Sequence, residues 1–236
     1  MSRLQVDMVS KRFGGITAVD RLCLEAGRNE IVGIIGPNGS GKTTLLNLIN
    51  GLIKPDSGKI LLGDKPIHTL KPHQIAAMGV GRTFQIAKIF RELTVMENML
   101  ATVNKNNSSQ TNLYKKAADL LELTGLAHKA REKAGTLSGG QQKLLEFARA
   151  LILEPTTMLM DEPFAGVHPT VVSKLLEIIA RMKSEGKTFL IVSHDINTIT
   201  SISDKIVVMS EGKKIAEGMP EEIMADREVA RLYLGF

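Results

Sequence analysis

The stretch Gly36-Pro37-Asn38-Gly39-Ser40-Gly41-Lys42-Thr43 decides the fold, because it matches the pattern G-x-x-x-x-G-K-[ST]. It follows a short apolar run, Glu30 to Ile35, that predicts a strand, and it precedes a predicted helix from Lys42 to Asn50. Glycines let the backbone curl so that successive N–H groups face one anion, and the helix start adds unpaired amides. The stretch therefore predicts a phosphate-binding loop, with Lys42 along the β- and γ-phosphates of a nucleotide and Thr43 as a ligand of Mg²⁺.

A second apolar run ends in two acids. The segment Thr157 to Met160 predicts a strand, and Asp161 and Glu162 follow it directly. A hard cation such as Mg²⁺ prefers oxygen ligands, which Asp161 supplies, and Glu162 can polarise an attacking water as a general base. Acids at strand ends are also common turn residues. Only their combination with the upstream loop favours a site for nucleotide hydrolysis.

Another glycine-rich helix start lies at Leu137-Ser138-Gly139-Gly140-Gln141, before a helical run from Gln142 to Leu153. Glycines and a serine at this place favour a helix N-terminus that faces an anion. The ordinary alternative is a serine N-cap beside a flexible hinge. If both helix starts bind the same ATP, two copies of the chain must face one another.

The composition is that of an ordinary globular α/β protein in a reducing compartment. The chain has 236 residues, of which 43% are hydrophobic and 23% charged, and this excludes wholesale disorder. The single Cys23 cannot form an internal disulfide. We expect neither an export signal nor a membrane span, since no apolar run reaches about 18 residues. The net charge of +5 favours an anionic partner, whereas 4% aromatic residues disfavour a nucleic-acid platform.

The residue pattern predicts a β-rich start, a helical middle and an α/β end. Residues 70–134 are predicted to be mostly helical, with a loop over the polar run Asn104 to Asn112 and a final helix that starts near Pro220. Further strands are predicted at 4–13, 21–26, 59–62 and 188–192, with a hairpin formed by 207–210 and 213–216.

Together these motifs resemble those of the ATP-binding cassette (ABC) ATPases. GPNGSGKTT resembles the Walker A motif of that family, LSGGQ is identical to its signature, and MLMDEP resembles its Walker B motif with the catalytic glutamate. Gln85 in GRTFQ falls at the family's Q-loop, His194 in VSHD at its switch histidine, and Phe13 where an aromatic ring stacks on adenine. These motifs follow the family order along the chain.

The resemblance implies an α/β fold of the P-loop NTPase type, an ABC cassette with a mixed sheet, an antiparallel β subdomain and a helical subdomain. It implies a single ABC ATP-binding domain over residues 1–236. Its core would comprise residues 1–84 and 158–236, and its helical subdomain would comprise residues of about 86–157.

The resemblance further implies an ATPase that uses ATP and Mg²⁺. Its catalytic residues would be Glu162, which activates water, His194, which contacts the γ-phosphate, and Gln85, which contacts the metal or the attacking water. The metal would be held by Thr43, Gln85 and Asp161. The ATP-binding residues implied by the resemblance are Phe13, Gly36, Pro37, Asn38, Gly39, Ser40, Gly41, Lys42, Thr43 and Thr44.

The signature residues Ser138, Gly139, Gly140 and Gln141 would act in trans, on the ATP of a second ABC ATPase subunit in a head-to-tail homo- or heterodimer. ATP would join the two subunits and its hydrolysis would release them. Further implied partners are two membrane permease subunits and a periplasmic or surface substrate-binding protein, without nucleic acid. The implied location is peripheral, on the cytoplasmic face of the inner membrane.

Four stretches resemble the ATP-binding subunits of branched-chain amino-acid importers: KRFGGITAVD, GRTFQIAKIFRELTVMENML, DEPFAGVHP and ARLYLGF. In such subunits the segment at Ile86 to Glu97 receives coupling helices of the membrane partners. The polar segment Ala101 to Thr111 is shorter than in many of these subunits, so urea or short-chain-amide importers and lipopolysaccharide exporters stay open as alternatives. A soluble ABC ATPase acting on nucleic acid or the ribosome is disfavoured by the single cassette and the lack of sustained heptads.

One position departs from the family pattern. At the end of FAGVH, where the family usually has Asp and some importer subunits have Asn, this chain has His168. An imidazole changes its charge in the neutral pH range, unlike an asparagine side chain. We therefore expect slower or pH-sensitive ATP hydrolysis.

Overall fold

The structure, a computed structural model, describes residues 3–102 and 110–234. The strands of this part of the chain are β1 (Leu4–Phe13), β2 (Ile16–Ala26), β3 (Ile31–Ile35), β4 (Ser57–Leu62), β5 (Lys65–Pro66), β6 (Val80–Arg82), β7 (Thr157–Asp161), β8 (Thr188–Val192), β9 (Lys205–Ser210) and β10 (Lys213–Gly218). Its helices are α1 (Lys42–Ile49), α2 (Pro72–Ala77), α3 (Val95–Leu100), α4 (Gln110–Leu123), α5 (Gly139–Leu151), α6 (Pro169–Ser184), α7 (Ile196–Ile202), α8 (Pro220–Ala225) and α9 (Arg227–Leu234). Two 3₁₀ turns, Ala127–Lys129 and Ala134–Thr136, precede α5.

The strands form two sheets. The smaller sheet is antiparallel, with the order β2-β1-β4-β5, and the larger sheet has six strands in the order β10-β9-β3-β8-β7-β6. In the larger sheet β9, β3, β8, β7 and β6 are parallel, and only the edge strand β10 runs antiparallel to its neighbour. This mixed α/β architecture with a separate antiparallel sheet confirms the predicted fold class.

The parallel strands bring four predicted motifs to one edge of the larger sheet. The carboxyl end of β3 leads into the phosphate loop, β7 ends in Asp161, β8 leads to His194, and β6 leads to Gln85. Since β3, β8, β7 and β6 are consecutive neighbours, these motifs lie side by side. The carboxyl edge of an open α/β sheet is where ligands bind.

Buried apolar side chains alternate between the two faces of the larger sheet, as the two-residue period of a strand requires. In β3, Ile31 and Ile35 pack on the face covered by α5, α6 and α7, whereas Val32 and Ile34 pack on the face covered by α1 and the smaller sheet. Both faces of the larger sheet are covered by other elements. The carboxyl edge is therefore the place where residues at the strand ends can contact a ligand.

The middle of the chain is less helical than predicted. Residues 80–82 form β6, which pairs with β7, and residues 83–94 contain no helix or strand, so the prediction of a mostly helical segment over 70–134 is wrong there. A three-residue strand is too short to show a period, and its partner is distant in sequence. Helix α4 agrees with the predicted helical segment, and its Ala117 and Leu121 are fully buried.

Two other boundaries differ from the predictions. β2 begins at Ile16 rather than Arg21, because irregular pairing with β1 carries the strand through Arg21, whose φ is +44°. Of the predicted loop Asn104 to Asn112, residues 104–109 lie outside the described residues, and residues 110–112 belong to α4. No helix in the described ranges is both long and apolar enough to span a bilayer.

Candidate functional site

Glycines shape the phosphate loop through close backbone approaches. Gly41 has a φ of +102°, and a Cβ atom there would lie 2.2 Å from the carbonyl oxygen of Ala18 in β2. A Cβ atom on Gly36 would lie 2.1 Å from the carbonyl oxygen of Met209 in β9. The helix α1 follows without a side-chain cap, so its first amides stay open to an anion, as the sequence pattern predicts.

The ammonium group of Lys42 is folded over this loop. Its Nζ donates hydrogen bonds to the carbonyl oxygens of Gly36 at 2.7 Å and Pro37 at 2.9 Å. Burial lowers the pKa of Lys42, while the nearby carboxylates of Glu162 and Asp161 raise it. A phosphate in the loop would offer the ammonium a charged acceptor, and such hydrogen bonds are stronger than those to neutral carbonyls.

Asp161 lies between a hydroxyl and a guanidinium. Thr43 Oγ1 donates to Asp161 Oδ1 at 3.2 Å, and Arg82 Nη2 lies 3.4 Å from Asp161 Oδ2. Burial lowers the pKa of Arg82, and the charge of Asp161 opposes this shift. Because Arg82 occupies Oδ2, the other carboxylate oxygen is directed to Thr43. This hydroxyl and carboxylate are hard oxygen donors and fit a magnesium ion.

Glu162 has an unusual backbone conformation that two hydrogen bonds hold in place. Its φ is +50°, a left-handed value that costs a non-glycine residue about 1–3 kcal/mol. Its N–H donates to the Val192 carbonyl at 2.9 Å, and its own carbonyl accepts from Lys143 Nζ at 3.0 Å. Its Oε2 lies 2.7 Å from His194 Nδ1 and also accepts the backbone N–H of His194. Two of the three predicted catalytic residues, Glu162 and His194, are therefore in direct contact.

Lys42, Thr43 and Glu162 line a cavity of about 450 Å³, a size typical of small-molecule sites, whereas Asp161 and His194 lie outside its lining. Its lining residues come mainly from the phosphate loop, from Gln85 of the Q-loop, from Glu162 of the Walker B motif and from strand β2 of the smaller sheet. The residues that line it are Ile16, Thr17, Ala18, Asn38, Gly39, Gly41, Lys42, Thr43, Thr44, Gln85, Glu162 and Glu211. The sheet thus brings predicted residues from distant parts of the sequence to one cavity.

Four lining residues could not be found from the sequence motifs: Ile16, Thr17, Ala18 and Glu211. Ile16 is 72% exposed at the start of β2, and Glu211 lies in the turn between β9 and β10 with a φ of +47°. Their places depend on the packing of this turn against β2 and the phosphate loop, which no local pattern reveals. Phe13, the predicted adenine-stacking residue, is half-exposed at the end of β1 and lies outside the lining set, with Lys11 Nζ 5.6 Å from the centre of its ring.

The signature segment lies apart from the cavity, at an exposed helix start. Ser138 is the N-cap of α5: its Oγ accepts the Gln141 N–H at 3.3 Å, and Gln141 Oε1 accepts the Ser138 N–H at 3.0 Å. A Cβ atom on Gly139 would meet no atom within 4 Å, whereas one on Gly140 would lie 3.0 Å from Val171. The ordinary capping interpretation of Ser138 is thus correct, and the helix start is open to a second molecule.

His168 is the N-cap of α6. Its Nδ1 accepts the backbone N–H of Thr170 at 3.4 Å and lies 3.0 Å from Thr170 Oγ1. Asp and Asn are common caps because their side-chain oxygen accepts such a bond. The imidazole therefore fills the capping role of the Asp or Asn that the resemblance leads one to expect here.

Comparison with known proteins identifies close relatives over the whole chain. A family model described as ABC transporter matches residues 19–165. The high-affinity branched-chain amino acid transport ATP-binding protein LivG of Escherichia coli K12 is 39% identical over 248 residues, which cover 98% of this chain and 97% of LivG. BraF of Pseudomonas aeruginosa, which carries the same description, is 39% identical over 253 residues, covering 100% of this chain and 99% of BraF.

Solved structures of ATP-binding cassettes have the same fold as this chain. The ADP conformation of an ATP-binding cassette of an ABC transporter superimposes with a TM-score of 0.90 at 35% identity, over 100% of both chains. A dimeric post-hydrolysis state of another cassette, bound to ADP and phosphate, gives a TM-score of 0.83 at 28% identity over 92% of this chain and 98% of that chain. With 39% identity to LivG and a family match over more than half its length, the chain belongs to the ABC transporter family and is an ATP-binding subunit.

Proposed function

We propose that the chain hydrolyses Mg²⁺-ATP in its cavity and uses the reaction to drive transport through separate membrane subunits. The observation that carries this proposal is the convergence of Lys42, Thr43, Gln85 and Glu162 on one cavity, with Asp161 bonded to Thr43 behind it. Phosphoryl transfer to water requires little beyond positioning and charge stabilisation, and these residue types supply both.

Each residue has a role that its position supports. The open amides of α1 and the ammonium of Lys42 bind the phosphates. Thr43 and Asp161, with Gln85 nearby, would hold a magnesium ion, which neutralises phosphate charge when bound. Both hydrogen bonds from His194 reach Oε2 of Glu162, and we assign Oε1 as the acceptor of a proton from the attacking water.

We further propose that two cassettes, identical or different, form a head-to-tail dimer around ATP. The exposed start of α5 lies outside the cavity, and Ser138, Gly139, Gly140 and Gln141 reach the nucleotide only from a second subunit. The existence of a dimeric cassette with the same fold supports this arrangement. Each ATP would then be bound by the phosphate loop of one subunit and the signature of the other.

The cargo we propose is a branched-chain or related amino acid, imported through two permease subunits with a substrate-binding protein. The support is the 39% identity to LivG and BraF over nearly the whole chain. The proposed permease-contacting segment, Ile86 to Glu97, contributes Lys88 to a groove of about 300 Å³ that Phe84 and Arg149 also line, and Ile86 of the same segment is 81% exposed. We place the subunit peripherally on the cytoplasmic face of the inner membrane, as one cassette with a core of residues 1–84 and 158–236 and a helical subdomain of about 86–157.

The substitution Glu162→Gln tests the proposed hydrolysis. It keeps the size of the side chain but removes the general base, so we expect kcat to fall at least about 100-fold while ATP still binds. The measurements are phosphate release and equilibrium binding of a fluorescent ATP analogue. Glu177→Gln, at an exposed residue paired with Lys174 on α6, is the matched control and should retain full turnover. Unchanged turnover in Glu162→Gln would show that Glu162 is not the general base, and absence of turnover in the unmodified protein would indicate a regulatory ATP-binding module instead.

The cargo requires a separate test with the complete transporter. Proteoliposomes that contain the chain with its permease and binding-protein partners should accumulate labelled leucine in an ATP-dependent manner. Accumulation of urea or a short-chain amide instead, or extraction of lipopolysaccharide, would assign the chain to one of the alternatives.

A further inference from the structure

Three charged residues form a stripe on one face of the signature helix α5. Lys143, Glu146 and Arg149 follow each other at intervals of three residues, a spacing that places side chains on the same side of a helix. No motif singled them out in the sequence. All three side chains form hydrogen bonds with backbone atoms of other segments.

Lys143 bonds to the turn that follows the Walker B strand. Its Nζ donates to the carbonyl oxygen of Glu162 at 3.0 Å and to that of Ala165 at 2.7 Å. The first of these bonds supports the left-handed backbone of Glu162. Burial lowers the pKa of Lys143, and the charges of Glu146 and Glu162 oppose this shift.

Glu146 bonds to the Q-loop on both sides of Gln85. Its side chain is buried, with Oε1 accepting the Lys88 N–H at 2.9 Å and Oε2 accepting the Phe84 N–H at 3.4 Å. The carboxylate of Glu146 thus links two backbone N–H groups that lie on either side of Gln85. Burial raises the pKa of Glu146, while the two N–H donors and the charges of Arg149 and Lys143 lower it.

Arg149 completes the attachment of the Q-loop. Its Nη1 donates to the Lys88 carbonyl at 2.6 Å, and its guanidinium lies 4.9 Å from the centre of the Phe90 ring. Lys88 is therefore held through both its N–H and its carbonyl by two residues of the same helix.

From these contacts we propose that Lys143, Glu146 and Arg149 are positioning residues that transmit a displacement of the signature helix to Gln85 and Glu162. The inference rests on the proposed dimer, in which the start of α5 meets the ATP of the partner subunit. Gln85 and Glu162 act on the ATP of their own subunit. The stripe therefore joins the two ATP sites of a dimer, so that occupation of one site positions the catalytic groups of the other.

The chemistry of the stripe favours a positioning role over simple packing. An apolar residue at position 146 would leave the Phe84 and Lys88 amides without this acceptor and would lose two hydrogen bonds to a charged group, which are stronger than those between neutral groups. A buried carboxylate is itself costly to desolvate, so packing alone does not call for one. A buried carboxylate is instead suited to holding two backbone amides at a fixed distance from one helix.

The substitution Glu146→Gln tests this inference, because it keeps the size but replaces one of the two acceptor oxygens with an NH₂ group. In nucleotide-free protein we expect hydrogen exchange of the amides in residues 84–90 to rise about tenfold, the effect of losing one hydrogen bond. In turnover we expect kcat to fall about tenfold with KM for ATP nearly unchanged, and the Hill coefficient for ATP to fall toward one. Glu177→Gln is again the control.

Each result of these measurements supports or overturns the positioning role of Glu146. Unchanged exchange in residues 84–90 would show that Glu146 does not hold the loop, and raised exchange with unchanged kcat and Hill coefficient would overturn the positioning role. Absence of turnover in the unmodified protein would overturn the proposed function and this inference with it; the exchange measurement, which needs no nucleotide, tells these failures apart. If Glu146→Gln does not fold, Arg149→Lys, which keeps the charge but loses the planar guanidinium, should show the same changes to a smaller degree.

Discussion

The phosphate loop and the signature segment are both glycine-rich helix starts, but their surroundings are opposite. At the phosphate loop, backbone oxygens lie where a Cβ atom on Gly36 or Gly41 would be, and the loop is packed against two strands of the same chain. At the signature segment, nothing lies within 4 Å of a Cβ atom on Gly139, and Ser138 is exposed. The first is a loop whose shape is fixed by contacts within its own chain, and the second is a surface that is open to another molecule.

The phosphate loop and the signature segment need their glycines for different reasons. In the phosphate loop the glycines permit positive φ values and close contact with neighbouring backbone, so they are required by the fold of the single chain. At Gly139 the backbone is helical and uncrowded, so the fold of the single chain would accept a side chain. Because Gly139 has no side chain, the space outside the chain next to this helix start stays open.

The substitution Gly41→Ala should have the largest effect on stability. The added methyl group would lie 2.2 Å from the Ala18 carbonyl oxygen at a φ of +102°, so the loop or β2 must move. We expect a loss of about 3 kcal/mol or more in the free energy of unfolding, together with loss of ATP binding. Chemical denaturation followed by circular dichroism measures the first effect. Native stability with intact ATP binding would show that the loop is not constrained by β2.

The substitution Gly139→Ala should instead spare the single chain and impair the dimer. We expect the free energy of unfolding to change by less than about 0.5 kcal/mol, because the methyl group meets no atom. ATP affinity of the monomer should stay the same, while kcat falls about tenfold because the methyl group lies between the helix start and the partner's nucleotide. A variant as active as the unmodified protein would contradict the role proposed for this helix start.

The substitution His168→Asn should have the smallest effect, on the stability of the cap of α6. The imidazole accepts the Thr170 N–H at 3.4 Å, and the side-chain oxygen of asparagine is among the preferred acceptors at an N-cap. We therefore expect the free energy of unfolding, measured by chemical denaturation, to rise by less than about 1 kcal/mol, with ATP hydrolysis no slower. A fall in either quantity would show that the imidazole does more than cap this helix.

Local sequence patterns predicted the phosphate loop, the acids at the end of β7 and the hairpin of β9 and β10, because each depends on a few neighbouring residues. They did not predict β6, a three-residue strand formed through pairing with β7. The sequence motifs also missed the cavity residues Ile16, Thr17, Ala18 and Glu211, whose places follow from the packing of the β9–β10 turn against β2 and the phosphate loop.

The stripe on α5 escaped prediction for a similar reason. Its spacing fits any solvated helix face, and only the packing of α5 on residues 84–90 reveals that Glu146 and Arg149 are bonded to backbone atoms there. His168 was noticed as a departure from a family pattern, but its capping role became clear only from its contact with Thr170.

Light scattering of the Glu162→Gln protein, with and without ATP, measures most directly whether each ATP site is shared by two chains. We expect a monomer without ATP and, in its presence, a dimer with one ATP bound per chain, formed by this chain alone or together with a second ABC ATPase subunit. In the homodimer, adding Gly139→Ala should restore the monomer. A Glu162→Gln protein that binds ATP and stays monomeric both alone and with the second subunit, or a homodimer that persists with Gly139→Ala, would show that the site is not shared.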